Sequence, residues 1–353
     1  MKLNRDCRYF LGHIPCRPHK KHGVHCEGCG YYDPADYNIL IIKLGAIGDV
    51  IRTTPLLHRL KKVHPRAFIT WLTLTPDVLP SGVDRKMGFE PKNLVSLEAI
   101  GFDLLINLDK DLEACALTER ISAKEKKGFR LLDGKCVNID EAAYHKFLTG
   151  LWDDVNKENT KSYPEEIFEI CGYRFEGEKY ILELPDNRPA FNIPEGARVV
   201  GLNTGCGGRW VTRLWADDRW AGLAKRLKAA GYYPLFLGGD QEHEKNLRLA
   251  KESGGAYFGT FSLQDFFCLV DRCELVVTAV TMAMHITIGL DKKIVLFNNI
   301  FNPREFELYG LGEILSPGEE CEGCFYQTCE HDCMSKITVD DTFAAVERLL
   351  PPS

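Results

Sequence analysis

The residue best placed for chemistry is Asp49, within the segment ILIIKLGAIGDVIRTTPLLHRLKKVHP at residues 39–65. The apolar run Ile39–Ile42 predicts a strand buried on both faces of a parallel sheet, and an amphipathic helix follows the loop LGAIGD. Asp49 is therefore expected at a helix entrance beyond the carboxyl end of a strand, where open α/β sheets bind ligands. Two interpretations stay open, because a carboxylate in such a crevice suits a general base and Asp also caps helix N-termini.

The glycines of this loop do not form a common phosphate-binding motif. The spacing of Gly45 and Gly48 matches neither G-x-G-x-x-G nor G-x-x-x-x-G-K-[ST]. A phosphate-cradling loop offers backbone amides and a Lys, whereas the carboxylate of Asp49 would repel a phosphate. We therefore do not expect this loop to hold nucleotide phosphates.

Cysteines supply a second kind of candidate site, since eight of the 14 in the chain fall into two groups. The N-terminal group is Cys7, Cys16, Cys26 and Cys29, and the C-terminal group is Cys321, Cys324, Cys329 and Cys333. The four thiolates of the C-terminal group are predicted to bind one tetrahedral ion, zinc by default with iron as the alternative. In the N-terminal group only Cys26 and Cys29 have the spacing of a metal knuckle, and nearby histidines are possible substitutes, namely His13, His19, His22 and His25.

Composition limits what kind of protein this is. The 353 residues predict two domains and an appendage, and the net charge of -6 argues against a nucleic-acid-binding protein. The N-terminus lacks the apolar region of a secretory signal, and no apolar stretch is long enough to cross a membrane. We expect a cytoplasmic protein, or one peripheral on the inner face of the cytoplasmic membrane. In that setting clustered cysteines indicate structural metal rather than disulfides.

The elements that position these residues follow an alternating pattern. Residues 1–36 lack a periodic apolar face and are predicted to be a Cys-rich metal-binding segment. Strands are predicted at residues 68–74, 93–97 and 103–108, then helices through 140–172. A second alternating series is predicted from 198 to 298 and includes a short strand at 256–259. The pattern predicts an α/β fold with two Rossmann-like doubly wound domains, 37–185 and 186–353, facing each other across a cleft, with a linker near 182–197.

Several segments, in this order, resemble glycosyltransferase family 9, the bacterial ADP-heptose heptosyltransferases: KLGAIGDVIRTTPLLHRLK, FDLLINLD, RLWADDRW, LFLGGDQEHE, TMAMHITIGL, VLFNNIFNPREFELYG and CEGCFYQTCEHDCM. The resemblance spans residues 38–349 and leaves the N-terminal Cys-rich segment as an addition. It implies a GT-B fold whose N-terminal domain handles the acceptor and whose C-terminal domain handles the nucleotide-sugar. It also implies an inverting transfer without a catalytic metal, and some relatives that modify autotransporters use cysteines for a structural iron.

The resemblance assigns roles to individual residues. Asp49 falls on the family's acid that deprotonates the acceptor hydroxyl. Donor-binding roles fall on Arg213 at the diphosphate, Glu242 at the nucleoside, His285 beside the pyrophosphate, and Thr281 at a helix N-terminus that can hold phosphate oxygens. Asp109 and Asp111 follow the strand DLLINL and are further candidates for acceptor contact or base, although Asp is also common in turns.

One departure from the family pattern bears on function. The family reads DTGPxH or DSGPxH where this chain reads VTMAMH, so Val280 replaces an acid. We expect a heptose donor, ADP-heptose by resemblance, and a hydroxyl acceptor on a bacterial glycan, the lipopolysaccharide core or a protein. The alternatives are a sugar-nucleotide-binding protein without catalysis, which Val280 favours, and a zinc-knuckle adaptor that binds a partner macromolecule through residues 1–36.

Overall fold

The structure is a computed structural model that describes residues 2–208, 210–318 and 321–351. It divides into two compact units, each with one sheet. Unit 1 runs up to Gly45 and adds Thr54–Tyr144 and Ile167–Arg174, while unit 2 holds Ala46–Thr53, His145–Glu166 and the chain from Phe175 on. The short segment Ala46–Thr53 belongs to unit 2 because its helix packs there. Each unit is therefore built from several separate stretches of the chain, whereas each predicted domain was one continuous stretch.

Strands and helices alternate along most of the chain. The strands are β1 (Tyr37–Ile42), β2 (Ala67–Thr73), β3 (Arg85–Gly88), β4 (Phe102–Asn107), β5 (Ala123–Leu132), β6 (Lys135–Asn138), β7 (Val199–Asn203), β8 (Tyr233–Leu237), β9 (Leu275–Ala279), β10 (Lys293–Phe297) and β11 (Gly312–Leu315). The helices are α1 (Arg17–His22), α2 (Ile47–Thr53), α3 (Leu56–Val63), α4 (Pro91–Ala99), α5 (Leu112–Arg120), α6 (Tyr144–Thr149), α7 (Asp153–Glu158), α8 (Tyr163–Ile170), α9 (Asp217–Ala229), α10 (His243–Ser253), α11 (Leu263–Asp271), α12 (Met282–Gly289) and α13 (Val339–Leu349).

The sheet of unit 1 has the order β3-β2-β1-β4-β5-β6. Its first five strands are parallel, and β6 pairs antiparallel with β5. Ile39 to Ile42 are fully buried, as the unbroken apolar run predicts for a strand covered on both faces. The strand order reverses between β1 and β4, so the loop that contains Gly45 and the loop that contains Asp109 both leave the sheet at its switch point.

The sheet of unit 2 is wholly parallel and has the order β11-β10-β9-β7-β8. Its switch point lies between β7 and β9, so the loops after these strands are the expected ligand-binding loops. One face of the sheet packs on a cluster that includes Trp215, Trp220 and Phe297, whose rings contact one another. The final helix α13 begins with a cap in which the Thr338 hydroxyl accepts the amide of Asp341 at 3.0 Å, as its sequence predicts.

Some element predictions were wrong, for identifiable reasons. Residues 93–97 are helical rather than extended, because Pro91 starts α4 and its Leu94 and Leu97 face the core at helical spacing. Residues 256–259 do not form a strand and contribute only an isolated bridge from Ala256 to Leu235. The hairpin of β5 and β6 was missed, although Asp133 and Gly134 turn it with positive φ angles of 50° and 74°. No helix of the described residues is long and apolar enough to cross a membrane.

Candidate active site

The helix α2, which carries Asp49, packs against α12, which carries His285, and both lie in unit 2. The approach is close because Gly48 has no side chain: a Cβ at this residue would lie 2.4 Å from Cδ2 of His285. Gly48 of the GDV motif and His285 of the TMAMH motif, which are 237 positions apart in the chain, therefore meet at one place.

Asp49 lies in the first turn of α2 and its side chain is 31% exposed. One carboxylate oxygen accepts from the guanidinium of Arg52 at 2.8 Å, and the other accepts from the backbone amide of Ala46 at 3.2 Å. Asp49 is thus not the N-cap residue of α2, but it reaches back to the amide that precedes the helix, as an acid at the third helical position does. The carboxylate is oriented by these two contacts and remains accessible to a ligand.

Arg52 was not identified from the sequence, although it is three residues from Asp49 on the same helix. Its guanidinium lies 3.5 Å from the ring centroid of Tyr163, and its Nε is buried without a hydrogen-bond partner among the described residues. Burial opposes the charge of Arg52, but the carboxylate of Asp49 and other nearby groups outweigh it and raise its pKa above the ordinary value. Arg52 is therefore a permanent positive charge beside Asp49.

His285 is 6% exposed, and its Nδ1 has no hydrogen-bond partner in the described part of the chain. Burial, with a further contribution from the positive charge of Arg52, lowers the pKa of His285 to about 3. The imidazole is therefore neutral at physiological pH. A buried, unpartnered ring nitrogen costs free energy, and such groups occur where a ligand supplies the missing bond.

Arg213 is buried, with 7% exposure, and binds backbone carbonyls rather than a carboxylate. It donates to the carbonyls of Val280 and of Cys206, the latter at 2.7 Å, and its guanidinium lies 5.4 Å from the ring centroid of Phe301. Burial lowers the pKa of Arg213 below its ordinary value, in agreement with a charge that no carboxylate neutralises among the described residues. Through these hydrogen bonds Arg213 connects the loop after β7 with the loop after β9, and both loops lie at the switch point of the sheet.

Thr281 is the N-cap residue of α12, since its hydroxyl accepts the amide of Ala283 at 3.2 Å. The same hydroxyl contacts that of Thr278 at 3.1 Å, at the end of β9. Thr281 therefore orients the first turn of α12, where a helix has backbone amides without intrahelical partners.

Glu242 follows β8 and packs over the loop after β7. A carboxylate oxygen of Glu242 accepts the amide of Gly239 at 3.0 Å, and a Cβ at Gly205 would lie 2.3 Å from its other oxygen. Lys245, one turn further on, donates to the carbonyl of Thr204 at 2.9 Å. These contacts place an acidic and a basic side chain beside the glycine-containing loop 204–208, and only the acidic one was predicted from the sequence.

Asp109 and Asp111 lie in unit 1. Asp109 is buried and accepts bonds from the ammonium of Lys43 and from the amide of Leu44, so it braces the start of the loop after β1. Burial raises the pKa of Asp109 above its ordinary value despite the attraction of Lys43. Asp111 is exposed at the N-cap position of α5 but makes no side-chain capping bond there.

In residues 2–208, 210–318 and 321–351, no three Cys, His, Asp or Glu side chains of either cysteine group converge on the position of a single metal ion. In the C-terminal group the thiols of Cys321 and Cys333 are in contact, and burial with this neighbour raises the pKa of Cys321, whereas Cys329 is exposed. The placement of the cysteines therefore does not support the predicted zinc ion.

The sequence profile of glycosyltransferase family 9 (heptosyltransferase) matches residues 156–335, which are 180 of the 353 residues of the chain. The chain belongs to glycosyltransferase family 9. The protein is therefore a glycosyltransferase, as predicted, and the matched range contains Arg213, Glu242, Thr281 and His285. Asp49 lies outside this range, so its assignment depends on the geometry described above. No protein among the curated sequences compared with this chain matches it.

Three solved structures are similar to this chain in fold. The similarity to a family 9 glycosyltransferase from Veillonella parvula covers 90% of this chain and 98% of that protein, at 19% identity and a TM-score of 0.67. ADP-heptose lipopolysaccharide heptosyltransferase II of E. coli covers 89% and 98%, at 18% identity and a TM-score of 0.65. The iron-containing dodecameric glycosyltransferase TibC of enterotoxigenic E. coli covers 89% and 76%, at 14% identity and a TM-score of 0.57. These likenesses confirm the predicted GT-B fold with two Rossmann-like sheets.

Proposed function

We propose that the protein is an inverting heptosyltransferase that moves a heptose from a nucleotide-diphosphate sugar, ADP-heptose, to a hydroxyl of a bacterial glycan. The observation that carries the proposal is the meeting of Asp49 with His285 through Gly48. A carboxylate held by Arg52 lies there beside two buried nitrogens, Nε of Arg52 and Nδ1 of His285, which have no hydrogen-bond partner among the described residues. Such unpaired nitrogens favour a polar ligand at this place.

Asp49 is proposed as the general base. Its carboxylate is held by Arg52 and by the amide of Ala46, and at 31% exposure it can be approached by an acceptor hydroxyl. The acceptor oxygen forms a bond to the anomeric carbon on the face opposite the departing group and passes its proton to Asp49. The bond from the anomeric carbon to the diphosphate breaks, and the electron pair leaves with the nucleotide.

The donor is proposed to bind at the switch point of the sheet in unit 2. The first turn of α12, capped by Thr281, has backbone amides that the helix itself does not use, and Arg213 adds a buried positive charge that no carboxylate neutralises within the described residues. Both features favour a diphosphate, and Glu242 is proposed to contact the nucleoside. Where relatives of this family have an acid, the backbone carbonyl of Val280 accepts from Arg213. This contact holds Arg213 in place without cancelling its charge.

A screen of donors tests the proposal most directly. Ligands that bind only the native state raise its stability by about 2.7 kcal/mol at 100 times the dissociation constant. ADP-heptose, and to a lesser degree ADP, are expected to raise the melting temperature more than UDP-sugars or GDP-sugars do. The release of ADP should then require an acceptor, either a truncated lipopolysaccharide core or a protein. Selective stabilisation by a UDP-sugar or GDP-sugar would reject ADP-heptose as the donor.

A sugar-nucleotide-binding protein without catalysis is the second candidate, and Val280 is the observation that favours it. This candidate predicts stabilisation by the donor without transfer to any acceptor. Release of ADP that depends on both the acceptor and the carboxylate of Asp49 would exclude it.

The C-terminal cysteine group is proposed as a structural metal site, with iron preferred to zinc because TibC contains iron. The thiols of Cys321 and Cys333 already meet, whereas the exposed Cys329 would have to turn inward to complete a set of four. Metal analysis of the Cys321→Ser variant, compared with wild type, tests this: the variant should lose one metal equivalent.

A further inference from the structure

The Cys-rich segment at residues 2–36 folds with almost no core of its own. In this range only the side chain of Pro18 is buried. Arg8 holds the segment together and attaches it to the rest of unit 1, because it donates to Asp33 within the segment at 3.0 Å and to the carbonyl of Ala67 at 2.9 Å. A segment of this size without an apolar core needs another source of cohesion, which in small folds is a metal or a disulfide.

All four cysteines of the N-terminal group line one cavity of about 240 Å³. None of them forms a disulfide, although they come from separate parts of the segment. The rest of the lining is mainly apolar and aromatic, and two histidines, His19 and His25, stack at its edge with 5.3 Å between ring centroids. The four cysteines therefore border one space and are not joined to one another by disulfides.

The presence of a space between these cysteines indicates which kind of metal centre they can bind. A single zinc ion, with Zn–S bonds of about 2.3 Å, draws its four sulfurs to about 3.8 Å from one another and leaves no cavity between them. No three thiols of the described residues converge in that way. An iron–sulfur cluster places several irons and sulfides between its cysteine ligands, so that the thiolates surround a volume instead of a point.

We propose that Cys7, Cys16, Cys26 and Cys29 bind one cubane iron–sulfur cluster. Each of the four irons takes one thiolate, and the four thiols release their protons on binding. A cubane core of charge 2+ with four thiolate ligands is a dianion. Residues 2–36 have six Lys and Arg against four Asp and Glu, a net charge of +2 in a chain whose total is -6.

The cluster accounts for both features of the segment. It replaces the missing apolar core, because it ties together four points along the chain that are otherwise held only by turns and surface contacts. The basic residues that follow Cys16, namely Arg17, Lys20 and Lys21, supply positive charge near a dianion. The proposal is independent of the transfer reaction, since it concerns unit 1 and not the Asp49–His285 site.

The test uses the full chain purified without oxygen. Iron and acid-labile sulfide are measured together, with the visible absorption and the electron paramagnetic resonance of the reduced protein. We expect about four sulfides and at least about four irons per chain. Protein that contains zinc or a single iron without sulfide, or that takes up no sulfide after reconstitution with Fe²⁺ and sulfide, would overturn the proposal.

Substitutions of individual cysteines by serine test which cysteines bind the cluster. Cys26→Ser with Cys29→Ser should lose essentially all sulfide and the visible absorption. The matched control is Cys136→Ser, a half-buried cysteine of unit 1 outside both groups, which should retain both signals. Cys321→Ser should also retain the sulfide, because only the N-terminal group is proposed to hold a cluster. Retention of the sulfide by the double variant would contradict the assignment, and the sulfide content of wild type tests it even if that variant fails to fold.

Discussion

Gly48 lies against the imidazole of His285 so closely that a Cβ at residue 48 would stand 2.4 Å from Cδ2 of the ring. Residue 48 is therefore a glycine because the His285 ring leaves no room for a side chain. Its backbone conformation does not require glycine, since its φ angle lies outside the left-handed region. This contact lets α2 bring Asp49 to the helix that carries His285. It explains why an acid in the first turn of α2 can act at the same site as α12.

Substitution of Gly48 by Ala should displace His285 or separate the two helices. Overpacking of this kind costs about 1 to 3 kcal/mol, so we expect a lower free energy of unfolding and weaker binding of nucleotide diphosphate. Gly45→Ala is the matched control in the same loop, because its Cβ would lie at an ordinary 3.6 Å from Leu74. Urea unfolding and calorimetry with ADP measure both effects. Equal behaviour of the two variants would show that the contact is unimportant.

Substitution of Asp49 by Asn should remove transfer while leaving the fold and donor binding largely intact. The loss of a general base costs about 10² to 10⁴ in rate, and an amide oxygen can still accept the bond from the Ala46 amide. Asp265→Asn is a suitable control, because Asp265 occupies the same position in α11 behind its cap Ser262. A variant with normal transfer but a lower melting temperature would show that Asp49 only stabilises the helix.

The sequence predicted the sheets and most helices because their apolar runs and periodicities are local features. The segments that contain Asp49, Arg213 and His285 were also predicted to follow strands, which the structure has as β1, β7 and β9. Contacts across the fold were not predictable: nothing in the local pattern shows that Arg52 stacks on Tyr163 or that Lys43 pairs with Asp109. The side chains that complete the site come from distant segments, and only the packed structure brings them together.

Arg52 is expected to act as a positioning residue for Asp49. Arg52→Gln removes the 2.8 Å ion pair and the charge over Tyr163, so the carboxylate loses both its orientation and its neighbouring positive charge. We expect kcat to fall by about tenfold or more with KM for the donor little changed, and the basic limb of the pH–rate profile to keep its form. Arg52→Lys should recover part of kcat. A loss of stability alone, with kcat retained, would contradict this role.

His285 should make the free energy of unfolding depend on pH. Its pKa is lowered to about 3 in the folded protein, whereas an unfolded His has a pKa of about 6.5. Between these values the unfolded state binds a proton that the folded state does not, so stability falls with decreasing pH by up to about 1.4 kcal/mol per pH unit. The His285→Gln variant should lack this contribution. Urea unfolding at pH 7, 6 and 5 measures it, and parallel pH dependences of wild type and variant would exclude a buried neutral His285.

Substitutions of Arg213 and of Glu242 should distinguish binding of the diphosphate from binding of the nucleoside. Arg213→Ala removes a buried charge and the bonds to the carbonyls of Val280 and Cys206, so it should weaken ADP by about 1.5 to 3 kcal/mol and leave adenosine almost unchanged. Glu242→Ala should weaken adenosine as much as ADP, because its proposed contact is to the nucleoside. Arg213→Lys keeps the positive charge, but an ammonium lacks the planar guanidinium that bonds both carbonyls. This variant therefore shows whether the charge or the link between the two carbonyls matters for ADP binding. If calorimetry gave wild-type ADP affinity for Arg213→Ala, Arg213 would be only a brace between the loops after β7 and β9. The diphosphate would then have to depend on the first turn of α12 alone.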